Sequence, residues 1–107
     1  PGNTTADVAG AWPEAGRLGF ADESQAFGLE YAHGLGVGLW EPPIISRAIS
    51  LDNPVELQEG MVIAVETYAG KGHNGVRIEE EIVLTADGYE MITKFPSDIL
   101  IECNAWY

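Results

Sequence analysis

Apolar and polar residues are most regularly ordered between residues 61 and 93. Met61-Val62-Ile63-Ala64-Val65 is an apolar run, and Glu66 follows it on the face of Val62 and Ala64. From Val76 to Thr85 the sides separate: Ile78, Ile82 and Leu84 share one, Arg77, Glu79, Glu81 and Val83 the other. The pattern predicts a hairpin, with strands over Met61 to Tyr68 and Val76 to Thr85 and a tip from Gly70 to Gly75. Ala86-Asp87-Gly88 is a turn, after which Tyr89 to Thr93 resumes the sheet. Upstream, Thr4-Thr5-Ala6-Asp7 reads as a helix start, with a capping hydroxyl and an early acid, and Val8, Ala11 and Trp12 as its apolar stripe. Pro13 should kink or divide that helix, and a second short helix is expected from Asp22 to Phe27, stopped by Gly28. Tyr31 to Leu39 is too broken by glycine for a helix and suits a strand entering a loop whose backbone approaches something closely. Pro42-Pro43 holds the chain extended with Ile44-Ile45 packed beneath, and Asp52-Asn53-Pro54 and Glu59-Gly60 mark a surface turn. These elements make a mostly antiparallel sheet with one or two helices against a face, an α+β arrangement.

Composition narrows the partners more than the fold. With 107 residues there is room for one domain, which buries roughly 60–70% of its unfolded surface. Hydrophobic residues are 46% and charged residues 21%, the balance of a globular chain. No apolar run approaches the ~20 residues of a membrane span, and no basic-then-apolar leader is visible. The net charge of −12, from 17 acidic and 5 basic side chains, argues against nucleic acid or an anionic membrane as partner, because both would repel it. The acidity itself has two readings: a solvated surface, or a few inward carboxylates that hold a cation. Cys103 is the only cysteine, which rules out an internal disulfide and a thiolate zinc cluster. It reads as a small apolar residue, and the cytoplasm is the default compartment.

Glu66 is out of character in its apolar strand, since a carboxylate there must be paired or bound to a cation. If the hairpin closes as predicted, Glu79 lies across from Glu66 or diagonal to it, ~4.5–8 Å away. A shared metal ion would relieve their repulsion. A Glu66–Arg77 ion pair, with Glu79 on an exposed face, accounts for the same spacing equally well. His33 stands between Ala32 and Gly34, and such a histidine is either a packed core residue or a ligand given room by its glycine neighbour. His73 lies in the polar hairpin tip, where exposure to solvent suffices.

Three segments then carry a resemblance. His33-Gly34-Leu35-Gly36 followed by Trp40-Glu41-Pro42-Pro43 resembles the H-G-x-G-x-x-x-H-E-x-P stretch of the pita-bread metallohydrolases, the family of methionine aminopeptidase, Xaa-Pro aminopeptidase, Xaa-Pro dipeptidase and creatinase. Gly60-Met61-Val62-Ile63-Ala64-Val65-Glu66 is similar to its G-M-V-x-x-x-E strand, and Gly75-Val76-Arg77-Ile78-Glu79-Glu80 to its G-x-R-x-E-D/E strand. The segments come in family order and span essentially the whole chain. The resemblance implies the C-terminal half of a pita-bread domain, residues 1–107, closest to Xaa-Pro peptidase-like members. It implies His33 as the histidine ligand of a metal pair, Glu66 as a terminal carboxylate ligand, Glu79 as the bridging one, and Arg77 as a substrate-holding residue. It further implies two divalent ions activating a bridging water, with manganese, iron or cobalt favoured by carboxylate-rich ligation and zinc admissible. A homodimer acting on a small peptide or small amide follows from the longer members.

Two departures qualify the resemblance. The family's two aspartate ligands lie upstream of everything here, and Asp7 and Asp22 have no matching context. The chain thus supplies three ligands of five, and the missing N-terminal half is its expected partner. Trp40 stands where the peptidases have their second histidine, and an indole offers a donor and an apolar wall but cannot give or take a proton as an acid or base there. Trp40 therefore also suits a creatinase-like or dimethylsulfoniopropionate-lyase-like member with a small, cationic methylated substrate. A binding module that keeps the fold without catalysis is a third reading. Trp12 and Trp106 read as packing residues.

Overall fold

A computed structural model of the chain describes residues 1–26 and 31–101. Helix α1, Thr5–Ala11, starts where the sequence places it: Thr4 is extended at the N-cap, its hydroxyl accepts from the Asp7 N–H, and the Asp7 carboxylate accepts from the Thr4 N–H at 2.7 Å. Pro13 divides rather than kinks the helix. Trp12 ahead of it is extended, at φ −74° and ψ 146°, as a residue before proline must be, and the chain re-forms only a short 3₁₀ turn at Ala15–Leu18. The buried stripe of α1 is Thr5 and Ala9 with Val8 packed alongside; Ala11, expected inside, is exposed.

The second expected helix reduces to a 3₁₀ turn at Glu23–Gln25. Asp22 does not cap it; its carboxylate accepts from the Ser24 hydroxyl and from Gln25 Nε2 instead, and a single turn has too few hydrogen bonds to propagate. Phe27 and Gly28, its expected end, lie outside the described residues, as do Cys103 and Trp106. A one-turn helix α2, Arg47–Ser50, was not legible in the sequence; Ser46 caps it by accepting from the Ile49 N–H at 3.1 Å.

Among the described residues, five strands, β1 (Ala32–Gly34), β2 (Glu41–Ile45), β3 (Val62–Lys71), β4 (Asn74–Thr85) and β5 (Gly88–Met91), form one sheet in the order β2-β1-β3-β4-β5, every pairing antiparallel. The hairpin is longer than expected. Pairing continues to Lys71 and Asn74, and Gly72 at φ 63° makes the reversal, so the tip is two residues. The last strand is tied beyond Met91 as far as Thr93, by the Ile92 N–H to the Glu81 carbonyl and by the Glu81 N–H to the Thr93 hydroxyl.

Because paired residues point the same way, the register sorts the sheet into two faces. Ala32, Ile45, Ile63, Ile82 and Leu84 lie on one, and with Ala9 of α1 and with Leu57 they build the core. The N-terminal segment is laced to residues 55–57 beside it, through the Gly2 N–H to the Leu57 carbonyl and the Thr5 N–H to the Val55 carbonyl. The opposite face carries His33, Ala64, Glu66, Arg77, Glu79 and Glu81. No helix among the described residues is long and apolar enough to cross a membrane.

Candidate metal centre

His33 sits at the middle of the three-residue strand β1, between β2 and β3, and is 2% exposed. Its Nδ1 lies 2.9 Å from the Gly34 carbonyl oxygen. A carbonyl can only accept, so Nδ1 carries a proton, and in the neutral ring the lone pair is on Nε2, which points away from the backbone. Nε2 faces Glu79 Oε1 across 3.9 Å.

The glycines around His33 have a structural reason. A side chain on Gly34 would stand 2.4 Å from the Pro42 carbonyl oxygen, because β1 and β2 approach closely where their register shifts between His33 and Gly34. Gly36 and Gly38 wrap the Glu41 carboxylate: a Cβ on Gly36 would meet Glu41 Oε2 at 2.6 Å, and the Gly38 N–H donates to Glu41 Oε1. Glu41 is thus the residue the glycine loop approaches, and its anchoring role was not assigned from sequence. The loop holds Trp40 against the histidine, ring centroids 5.6 Å apart and tilted by 56°, with the indole 63% exposed.

Glu66 and Glu79 are directly opposed in the β3–β4 register, and Tyr68 opposes Arg77 one step toward the tip. Glu66 is 3% exposed, while the Glu79 side chain is 44% exposed. Of the two sequence readings of Glu66, the ion pair with Arg77 is present in the structure. The Arg77 guanidinium holds Glu66 Oε2, with Nε at 2.5 Å and Nη2 also in contact. Glu66 Oε1, however, is buried without a hydrogen-bond partner. His73 is exposed at the hairpin tip, as its polar neighbours suggest.

Among the described residues, no group of three His, Cys, Asp or Glu side chains is close enough together to hold a metal ion unaided. The donors nevertheless fit a cation as part of a larger set. An imidazole whose Nε2 faces outward, a buried carboxylate oxygen lacking a partner and a half-exposed carboxylate share one face of the sheet. Nitrogen and oxygen donors of this kind suit manganese, iron, cobalt or zinc. Asp7 is spent on the α1 cap and Asp22 on a local turn, so neither joins the set. Trp12 stacks on Tyr31, centroids 5.0 Å apart and 12° from parallel, which places it in packing. Arg47 underpins that corner through Glu23 and the carbonyls of Ala9 and Trp12.

Comparison with known proteins bears on this geometry. The sequence profile of metallopeptidase family M24 matches residues 1–86. An uncharacterized peptidase of Bacillus subtilis (strain 168), YqhT, is 38% identical over 77 residues, which is 70% of this chain and 20% of that protein. The Xaa-Pro dipeptidase from Bacillus anthracis superposes with a TM-score of 0.71 at 28% identity, over 94% of this chain and 27% of its own. The prolidase from Pyrococcus horikoshii OT3 does so with a TM-score of 0.72 at 27% identity, over 94% and 27%. The chain spans about a fifth of the length of the curated relatives it matches, 18% to 21%.

Proposed function

Because this chain belongs to metallopeptidase family M24 and has its pita-bread fold, we propose that it forms the C-terminal half of a metallohydrolase domain and contributes His33, Glu66 and Glu79 to a two-metal site. The observation that carries the proposal is the single sheet face shared by His33 Nε2, the unpartnered Glu66 Oε1 and the Glu79 carboxylate. The other two ligands would come from the N-terminal half of the domain. The parent protein is then a homodimeric cytoplasmic enzyme of the Xaa-Pro peptidase kind, acting on a small peptide or amide. Manganese, iron or cobalt is the expected metal, with zinc as a substitute.

Bound ions would supply Lewis acidity to the scissile carbonyl and lower the pKa of the attacking water. The chain's own part is positional. The Gly34 carbonyl fixes the tautomer of His33, and the β3–β4 ladder holds Glu66 and Glu79 opposite one another. Trp40 forms an apolar wall beside His33. Arg77, 61% exposed on the same face, can also offer a guanidinium edge to a substrate carboxylate.

The metal content of the longest native form, measured by elemental mass spectrometry beside a His33→Ala variant, tests the proposal. About two ions per chain, falling in the variant, is the expected result. No metal in either form, even after reconstitution with manganese or iron, would leave a fold kept for binding alone.

A second reading has its own support in Trp40. An indole standing against the histidine suits a small cationic methylated substrate, in a creatinase-like or sulfonio-compound lyase-like member of the fold. Incubating the intact protein with Xaa-Pro dipeptides, creatine and dimethylsulfoniopropionate separates the two, according to which is consumed.

A further inference from the structure

Arg77 is placed to do more than meet a substrate. Its guanidinium projects from β4 onto the face shared by Glu66 and Glu79, and binds one oxygen of Glu66, Oε2. The other oxygen, Oε1, is buried without a partner, as Glu80 Oε2 also is among the described residues. With Glu66 only 3% exposed, its carboxylate cannot turn to water for compensation, so its orientation is set by the partner it has. A planar guanidinium using two of its nitrogens fixes that orientation better than a single point charge does.

From this arrangement we infer that Arg77 is a positioning residue for the metal site: by holding Glu66 Oε2 it makes Oε1 the oxygen offered to the cation. The inference rests on the two-metal reading above and goes beyond it. It assigns Arg77 a duty toward a metal ligand, through Glu66, whatever it does toward a substrate. Removing the guanidinium frees the carboxylate to rotate in its pocket, and the site loses a preset ligand.

The test is a calorimetric titration of the metal-depleted full-length protein with Mn²⁺, which reads affinity without reading activity. Arg77→Ala should weaken Mn²⁺ binding by about 10- to 100-fold, the range found when a group supporting a metal ligand is lost. Arg77→Lys, which keeps the charge without the fork, should fall between the two. In the double variant Arg77→Ala with Glu66→Gln, affinity should match that of Glu66→Gln alone, since Arg77 acts through Glu66. Circular dichroism of each variant confirms that folded protein is being titrated, and Arg77→Lys carries the test if Arg77→Ala does not fold. Unchanged or tighter binding in a folded Arg77 variant overturns the inference while leaving the metal site standing. Additive losses in the double variant overturn it too, by showing that Arg77 acts elsewhere. A wild-type protein that binds no metal removes the two-metal reading and this inference with it.

Discussion

Around His33, glycines stand where a Cβ would collide with neighbouring atoms. Gly34 is the sharpest case, because any Cβ there would meet the backbone carbonyls of both Glu41 and Pro42. Those atoms belong to a paired strand and cannot rotate away as a side chain tip would. Gly34→Ala in the intact protein should therefore cost about 1–3 kcal/mol, as overpacking does, and should loosen His33 by pushing β1 from β2. A urea unfolding curve reads the first effect and metal affinity the second; an unchanged midpoint would mean the strands part without penalty. In the sequence, Glu66 and His33 stand out as polar types in an apolar or glycine-rich setting, whereas Glu79 and Arg77 are singled out by their spacing on the partner strand and by the family resemblance. What the pattern left open at Glu66 was its partner, and the folded chain gives it Arg77 on one oxygen and nothing on the other.

At the scale of elements, α1 shows how a seven-residue helix is held in place. The Thr4–Asp7 capping box satisfies backbone donors at its start, and the Thr4 N–H, followed by the Thr4 hydroxyl, holds the Asp7 carboxyl below its ordinary value. A lowered carboxyl contributes stability at pH values above its unfolded value, about 4, and loses it as the pH falls through the folded value. The helix start is therefore at full strength at neutral pH and should weaken only in acid. An NMR titration of the Asp7 carboxyl should give a midpoint below that of an unstructured peptide. Thr4→Ala should recover only part of the difference, because the backbone N–H remains as the larger cause. An unshifted midpoint in the parent would remove the capping box as its explanation. Where the elements depart from expectation, the cause is a competing local bond. Asp22 turned to Ser24 and Gln25 rather than to a helix N-terminus, and the 70–75 tip tightened to two residues because Gly72 allows the left-handed turn.

For the whole molecule the question is what this sheet needs in order to be stable. One face packs on α1 and Leu57, yet Val37, Leu39, Phe95 and Leu100 are more than two-thirds exposed. Among the described residues the core cluster has six buried members, with Ile82 packed against them, and two of the six are alanine, which contributes less than a leucine. Residues 1–107 expressed alone should be marginal, with a broad thermal transition, whereas the full-length protein should melt cooperatively and gain further stability with metal. Thermal unfolding followed by circular dichroism, with and without Mn²⁺, compares the two. A sharp, metal-independent transition of the isolated segment would show that this sheet needs no second half.

Alternation and spacing alone determined the hairpin, its two faces and the set of polar residues on one of them, because a period of two fixes which side chains share a side once a strand exists. The same local information set the start of α1 and the need for glycine after His33. Only the tertiary structure decided the order β2-β1-β3-β4-β5, which brings His33 beside a hairpin some thirty residues further along. It likewise decided the turn of Glu66 toward Arg77, the clasp of the glycine loop on Glu41 and the stacking of Trp12 on Tyr31. These depend on which distant strands pair and on which of several available hydrogen-bond partners lies nearest, and neither is written in the periodicity of a single segment.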